Sequence, residues 1–308
     1  MARTIIHIGM PRTASTSLQR EFFPKVDGFA FYGVETTQFS VAFQQLLYQD
    51  DSLFDAVGFE RTAAEIRSKN AILSNELFVG QSLYLNSTNR SRTARRLKQF
   101  FPDAEVLILL RNQVSLLQSL YAIGVYSGHT CSPESYIRFS NLESTPENPL
   151  YSTFAEAETT EAYKYSNLIA LYQSLFPQVH VLLFEDFKSH PAAFAERLTT
   201  LLQLEKVKIT DPVKQVNKSL SARQIKLVRK LNHYKSVLNR GRYGKWLFGV
   251  KLRFIEHQIS GKKKFKFSDA LQEKLRSTYL DDNRKLADML PQLKDSDWFM
   301  DDYLGKNR

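Results

Sequence analysis

Residues 9 to 17 form a segment whose composition suits the binding of an anion such as phosphate. It reads Gly-Met-Pro-Arg-Thr-Ala-Ser-Thr-Ser. Gly9 permits dihedral angles that other residues avoid, and Pro11 fixes the turn. Arg12 adds a permanent positive charge. Hydroxyl donors then follow at Thr13, Ser15, Thr16 and Ser17.

Two predicted elements position this segment. The apolar, β-branched run at residues 5–8 predicts a buried strand, and residues 18–21 predict a helix. The first amides of a helix lack intrahelical partners, so a strand, a tight loop and a helix N-terminus together can bind an anion. We therefore expect a phosphate cradle after the first strand. His7, inside that strand, is interpreted as a packing residue.

The segment departs from the nucleoside-triphosphate loop G-x-x-x-x-G-K-[ST]. Counted from Gly9, the second Gly falls on Ala14, the Lys on Ser15 and the Ser or Thr on Thr16. The Lys that would hold the β- and γ-phosphates is therefore missing. The basic residue comes earlier, at Arg12.

The pattern that is present, G-x-P-[KR]-[TS]-[GA]-[ST]-T, resembles the 5′-phosphosulfate loop of the sulfotransferases that use 3′-phosphoadenosine 5′-phosphosulfate (PAPS). Arg12 stands where Lys is commoner in that family, and Ala14 stands where Gly is commoner. The resemblance implies that the donor is bound by Arg12, Thr13, Ala14, Ser15, Thr16 and Ser17.

A second motif follows the clearest predicted strand, residues 105–110. Arg111 lies at the carboxyl end of that strand, where open α/β sheets place their ligands, and Ser119 comes eight residues later in the next helix. The spacing resembles the family signature strand-R-N-P-x-x-x-x-x-S, with Gln113 in place of Pro. The resemblance implies that Arg111 and Ser119 bind the 3′-phosphate of PAPS.

The resemblance also suggests further site residues. Glycan-directed members carry a catalytic Glu at a strand end comparable to Glu76, which implies that Glu76 is the general base and that Arg12 assists the leaving phosphate. Related enzymes for small alcohols and phenols use a His, so His129 is the competing base. Lys262 and Lys263 stand where such members have a basic loop over the nucleotide; a solvated lysine cluster is the alternative.

Further strands are predicted at 71–74 and 179–184, and helices at 158–176 and 221–238. This alternation of strands and helices predicts an α/β fold: a P-loop-like parallel β-sheet, flanked by helices and covered on both faces. We expect a single domain over 1–308, with an α/β core at 1–215 and a helical, basic C-terminal extension at 216–308. The chain has 308 residues, a net charge of +10 and one cysteine, Cys131. That cysteine count excludes a Cys-based metal site, and no metal is expected.

Charge is concentrated between residues 221 and 267, which hold fourteen Lys or Arg and one acid, Glu256. Such a block suits an anionic partner. Cations and large apolar groups alternate in residues 240–267, which predicts contact with an anionic membrane surface; aromatics packed on the core are the alternative. No nucleic-acid-binding signature is present. A first strand near Met1 and no membrane-length apolar run predict a cytoplasmic protein.

We therefore predict a bacterial PAPS-dependent sulfotransferase that acts on a hydroxyl, with a glycan or lipid-linked glycan as acceptor. One alternative is a P-loop kinase or NTPase, because residues 179–186 imitate a strand with an acidic end that could hold Mg²⁺. The other is a non-enzymatic anion-binding module that uses the basic segment.

Overall fold

The computed structural model describes residues 2–33, 37–80, 89–139, 158–204, 221–233 and 264–305. Contacts divide the chain into two compact units. The first comprises Met1–Asn112, Lys164–Val216 and Tyr279–Arg308, and the second comprises Gln113–Tyr163 and Asn217–Thr278. The boundary predicted near residue 216 lies outside the described residues.

The described strands form one five-stranded sheet and one pair of short strands. They are β1 Thr4–Gly9, β2 Ala30–Gly33, β3 Ala71–Ser74, β4 Glu105–Leu110, β5 Ile137–Arg138, β6 Glu158–Thr159 and β7 Gln178–Leu183. The large sheet belongs to the first unit, is parallel throughout and has the order β2-β3-β1-β4-β7. This confirms the predicted α/β class with a parallel sheet.

The sheet is buried on both faces. Side chains of a strand alternate between the two faces of a sheet. In β1, Ile5 lies on one face and Ile6 and Ile8 lie on the other, and all three are 0% exposed. The same holds for consecutive residues of β4, from Val106 to Leu110. Near-continuous apolar strands of this kind require helices on each side of the sheet, as the sequence predicted.

Eleven α-helices are assigned in the described ranges. They are α1 Ser15–Glu21, α2 Thr37–Tyr48, α3 Ala56–Arg67, α4 Arg90–Phe100, α5 Gln113–Ser127, α6 Pro133–Tyr136, α7 Tyr165–Leu175, α8 Phe184–Ser189, α9 Pro191–Leu201, α10 Ala222–His233 and α11 Asp269–Met289. Short 3₁₀ turns occupy Phe23–Lys25, Glu76–Val79, Thr160–Tyr163 and Pro291–Asp295, and a π-helical turn occupies Phe299–Tyr303. None of these described helices is long and apolar enough to cross a membrane.

One predicted helix begins later than the sequence pattern indicated. The sequence predicts a helix over residues 158–176, ended by Pro177, but α7 begins at Tyr165. Thr159 and Thr160 are β-branched and lose side-chain freedom in a helix. They extend instead into β6, which pairs with β5, and into the 3₁₀ turn that follows.

The second unit contains α5, α6, β5, β6, α10 and the first part of α11. Helices α5 and α10 pack together, and Asn232 on α10 donates hydrogen bonds to the carbonyl oxygens of Val125 (2.6 Å) and His129 (2.9 Å). An antiparallel bridge joins Ser221 to Lys264. The helix predicted for 221–238 is observed as α10, and residues 234–238 lie outside the described ranges.

Candidate functional site

Three predicted site residues meet at one edge of the sheet. β1 lies between β3 and β4, and all three strands run parallel, so their carboxyl ends share one edge. Arg12 follows β1, Glu76 follows β3 and Arg111 follows β4. The edge outside the carboxyl ends of parallel strands is where such sheets bind ligands.

The loop after β1 is held in an unusual backbone conformation. Arg12 (φ 69°) and Ala14 (φ 66°) both lie in the left-handed region, which is uncommon for residues with a Cβ and is concentrated at functional sites. Backbone and side chain fix the loop, because the Met10 N–H donates to the carbonyl oxygen of Leu109 and the Thr13 hydroxyl donates to that of Met10. Helix α1 then begins at Ser15 and has only seven residues.

Polar side-chain atoms surround the Cα of Gly9. A Cβ at this position would lie 2.5 Å from Ser15 Oγ, 2.9 Å from Thr13 Oγ1 and 3.2 Å from His7 Nε2. Ser15 Oγ and His7 Nε2 are buried, and neither has a hydrogen-bond partner among the described residues. Buried polar atoms without partners are costly and are normally satisfied by a ligand or by water. The loop therefore fits a ligand that is rich in oxygen.

Arg12 and Glu76 lie within electrostatic range of each other. Burial raises the pKa of the Glu76 carboxyl above its ordinary value, and the charge of Arg12 counteracts part of this rise. Burial likewise lowers the pKa of the Arg12 guanidinium, and Glu76 counteracts it. Glu76 opens the 3₁₀ turn after β3, where the Asn75 side chain accepts from the Leu77 N–H at 2.9 Å. A carboxyl with a raised pKa beside a cation is suited to proton transfer.

Arg111 lies close to the same loop. Its Nη1 donates to the carbonyl oxygen of Arg12 at 2.9 Å, and its guanidinium carbon lies 4.6 Å from the centre of the Phe184 ring. Burial lowers the pKa of Arg111, Glu185 raises it, and the like charge of Arg12 lowers it further. Because the positive charges of Arg12 and Arg111 repel each other in partly buried surroundings, they favour the binding of an anionic ligand.

The turn after β4 is anchored by residues that sequence reasoning did not place in the site. The Glu185 carboxylate accepts from the Asn112 N–H (3.0 Å) and from the Tyr303 hydroxyl (3.2 Å), and the Tyr165 hydroxyl donates to the carbonyl oxygen of Arg111 (2.6 Å). Burial raises the pKa of Glu185 above its ordinary value. These partners come from distant parts of the chain, so the sequence alone indicates only the acidic residues that follow β7.

The carboxylates at the end of β7 are engaged by protein donors. Besides the contacts of Glu185, Asp186 accepts from the Ser296 hydroxyl at 3.0 Å and pairs with Arg197 at 3.4 Å. The Mg²⁺-binding role considered for this strand end would require these contacts to be given up. The two acidic residues that follow β7, on α8, are thus accounted for as structural partners.

The other predicted site residues belong to the second unit. Ser119 is on α5 and His129 follows it, both in the second unit, whereas Glu76 belongs to the first. The His129 ring is 5% exposed; it packs against Gly124 and lies 6.0 Å, between ring centres, from Tyr136. Lys262 and Lys263 lie outside the described residues. The structure therefore brings the loop after β1 together with Glu76 and Arg111.

The place of His7 within an apolar strand predicts a packing role, yet its ring takes part in a polar network. His7 Nδ1 is 2.7 Å from the Ser74 hydroxyl, which also accepts from the Gln19 side chain at 3.0 Å. His7 is 0% exposed. A histidine in the middle of a run of isoleucines was the sequence signal for this network.

Fold and site together define an α/β protein whose parallel sheet presents two arginines, a carboxyl and buried donors at one edge. No family model matches this chain, and no curated protein matches it. It is similar to the crystal structure of a sulfotransferase from Alicyclobacillus acidocaldarius, at 15% identity over 89% of this chain and 99% of that chain, with a TM-score of 0.48.

A mouse sulfotransferase complexed with PAP (3′-phosphoadenosine 5′-phosphate) is also similar, at 12% identity over 95% of this chain and 88% of that chain, with a TM-score of 0.43. Both likenesses are distant in sequence and in geometry. A functional assignment must therefore come from the residues of this chain.

Proposed function

We propose that this protein is a sulfotransferase that moves the sulfuryl group of PAPS to an acceptor hydroxyl. The observation that carries the proposal is the grouping, at one sheet edge, of Arg12, Arg111 and Glu76 with the buried donors around Gly9. The grouping supplies the three things the reaction needs, namely an anion site, positive charge and a base.

The loop after β1 is proposed to bind the 5′-phosphosulfate end of the donor. Arg12 offers charge and Ser15 a buried hydroxyl that lacks a partner among the described residues. The remaining loop residues in this proposed site are Thr13, Ala14, Thr16 and Ser17. Charge-assisted hydrogen bonds to phosphate oxygens are the strong ones, so this loop would dominate binding at that end.

Arg111 is proposed to bind the 3′-phosphate, together with Ser119 on the helix that follows. Its support is the position of Arg111 at the end of β4, held by Phe184 and by the carbonyl oxygen of Arg12. Lys262 and Lys263 are proposed to close over the nucleotide. PAPS is thus the donor substrate, and the chemistry calls for no metal, because a sulfuryl group carries less charge than a phosphoryl group.

Glu76 is proposed to accept the proton of the acceptor hydroxyl. The acceptor oxygen forms a bond to sulfur, the bond from sulfur to the donor phosphate breaks, and Arg12 stabilises the charge that the phosphate gains. The raised pKa of Glu76 brings its proton affinity closer to what a base needs near neutral pH. His129 is the competing base, from the second unit.

The acceptor is proposed to be a carbohydrate hydroxyl, on a glycan or lipid-linked glycan. Its support is the Glu at the end of β3, which resembles the catalytic residue of glycan-directed members of the family. A protein acting on a lipid-linked acceptor would be cytoplasmic and would rest on an anionic membrane surface. Residues 240–267 are the proposed contact, and most of them lie outside the described ranges.

A kinase or NTPase is the less favoured function. Ser15 occupies the position of the phosphate-binding Lys, and the carboxylates after β7 are engaged by Asn112, Tyr303 and Ser296. The module that binds anions without catalysis would leave the raised pKa of Glu76 without a role.

Calorimetric titration distinguishes these functions. We expect PAP to bind to the wild-type protein and ATP with Mg²⁺ to bind far more weakly, because the second phosphate of PAP is on the 3′ position that Arg111 is proposed to contact. Sulfuryl transfer from PAPS to a panel of glycan hydroxyls would follow. Tight binding of ATP with Mg²⁺ and none of PAP would overturn the proposal.

A further inference from the structure

His7 is a polar residue at the centre of the apolar sheet. It lies on β1, the middle strand, and is 0% exposed. Phe23 packs against its ring at 5.0 Å between centres. A buried imidazole is expected to satisfy both nitrogens, and only Nδ1 has a partner among the described residues.

The hydrogen bonds of Ser74 determine which nitrogen of His7 carries the proton. The Gln19 side chain donates to Ser74 Oγ at 3.0 Å, so this oxygen already serves as an acceptor. The acceptor within reach of the Ser74 hydroxyl proton, in the part of the chain that the structure describes, is His7 Nδ1 at 2.7 Å. The neutral imidazole then carries its own proton on Nε2.

That Nε2–H is next to the loop after β1. Nε2 is 3.2 Å from the position that a Cβ on Gly9 would take, and Ser15 Oγ is 2.5 Å from the same position. Both atoms are buried, and neither has a hydrogen-bond partner among the described residues. An imidazole N–H and a hydroxyl thus both lie next to Gly9, at the start of the loop that is proposed to bind the anion.

We propose that His7 donates a hydrogen bond from Nε2 to an oxygen of the 5′-phosphate group of the donor, and that Ser74 and Gln19 position its ring for this contact. This inference rests on the proposed function. Burial lowers the pKa of His7 to about 3, so the donor is neutral at physiological pH. The hydrogen bond from His7 therefore orients the bound anion, while Arg12 supplies the positive charge.

Calorimetry with two ligands tests the contact. PAP has a 5′-phosphate and adenosine 3′-monophosphate lacks it. In His7→Leu we expect the affinity for PAP to fall about tenfold to a hundredfold, the usual worth of a hydrogen bond to a charged group, and that for the monophosphate to stay unchanged. Arg111→Ala is the matched control, because it should weaken both ligands through their shared 3′-phosphate.

The outcomes separate this inference from the proposed function. If the wild-type protein does not bind PAP, the proposed function fails. If wild-type binds PAP and Arg111→Ala weakens both ligands, but His7→Leu binds PAP like the wild-type protein, only the role of His7 is wrong. Equal weakening of both ligands in His7→Leu also contradicts a contact with the 5′-phosphate.

NMR on the wild-type protein supplies a test that does not depend on the folding of His7→Leu. With ¹⁵N-labelled histidine, we expect the ring of His7 to be neutral with its proton on Nε2, and that proton to shift on addition of PAP and not of the monophosphate. Ser74→Ala should release the tautomer preference and so identifies the signal. A proton on Nδ1, or an Nε2 proton that PAP leaves unchanged, would overturn the proposal.

Discussion

At the scale of single residues, the site depends on two arginines that the chain holds close to each other. Arg12 has a left-handed backbone, and its carbonyl oxygen accepts from Arg111, so each residue helps to place the other. We expect a bound dianion to offset the cost of these two like charges, and the two arginines therefore to contribute more to affinity than an isolated surface arginine.

The first prediction concerns these two arginines. Arg12→Ala and Arg111→Ala should each lower the affinity for PAP by about one to two decades, because charge-assisted contacts to phosphate are worth about 1.5–3 kcal/mol. Calorimetry measures the loss, and thermal unfolding of the free protein checks that the fold is kept. Arg20→Ala, an exposed arginine on α1, is the control and should bind PAP normally. Normal affinity in both test variants would contradict the proposed donor site.

The second prediction concerns Glu76 as the base. Glu76→Gln should lower turnover by a factor of about 100 to 10,000 and keep the affinity for PAP, because the residue acts on the acceptor. The base works when deprotonated, so the rate should fall as the pH drops through the pKa of Glu76. Since burial raises that pKa, the fall should begin at a higher pH than for an exposed glutamate.

The pH profile of kcat/KM measures this fall in rate at low pH. Any residual activity of Glu76→Gln should not show it. His129→Ala is the comparison. Were His129→Ala inactive and Glu76→Gln close to wild-type, the base would be His129.

At the scale of elements, the loop after β1 carries strain that one substitution should relieve. Ala14 has a φ of 66°, in the left-handed region that costs a residue with a Cβ about 1–2 kcal/mol. Glycine avoids this cost but gains freedom in the unfolded chain, worth about 0.4–1 kcal/mol. Ala14→Gly should therefore raise the free energy of unfolding by about 0.5–1 kcal/mol. Denaturant unfolding measures the change, and a lower stability would show that the loop is not strained at this position.

The elements of this fold differ in how well the sequence predicts them. β3 and β4 were predicted with their observed limits, because short apolar runs bounded by polar residues are typical of strands buried on both faces. The start of α7 was missed, because apolar spacing alone cannot tell a helix from the β6 strand and 3₁₀ turn before it. Residues 158 and 159 form β6 because they pair with β5, and this pairing is not visible in the spacing of apolar residues.

The hydrogen bonds that anchor the turn after β4 show a second limit of prediction from sequence. Asn112, Glu185 and Tyr303 are far apart in the chain, and no spacing rule joins them. The motif after β4 was visible, but the residues that hold it in place depend on how β7 and the C-terminal turns fold against it. His7 was missed for a related reason, since its partners Ser74 and Gln19 belong to other elements.

The anchoring of the turn after β4 yields a prediction about stability. Tyr303→Phe removes the hydroxyl that donates to the buried carboxylate of Glu185 at 3.2 Å. Leaving a buried acceptor with one donor fewer should cost about 1–3 kcal/mol of unfolding free energy. Chemical denaturation gives the value. Tyr126→Phe, a change at an exposed tyrosine, is the control and should have little effect. Equal stability of Tyr303→Phe and wild-type would mean that the Glu185 contacts do not anchor the turn.

At the scale of the whole molecule, the uneven distribution of charge distinguishes this chain. Fourteen of its 42 Lys and Arg fall between residues 221 and 267. At the described end of this block, Phe265 stacks on Tyr121 and Phe267 is buried, while Lys264 and Lys266 are exposed. Here the aromatic residues pack within the protein, so attraction to a membrane at this end would be electrostatic.

An electrostatic contact has a measurable dependence on salt. Each Lys or Arg near an anionic bilayer adds about 1 kcal/mol, and salt screens this attraction over a Debye length of about 8–10 Å. The full chain should therefore float with anionic vesicles at low salt, release them at high salt and ignore neutral vesicles. Replacing the exposed Lys264 and Lys266 by Gln should reduce flotation, whereas the same change at Lys188 and Lys285, outside the basic block, should not. No flotation on anionic vesicles at low salt would remove the membrane contact from the proposal, and it would leave the donor site untouched, because Arg12, Arg111 and Glu76 lie outside the basic block.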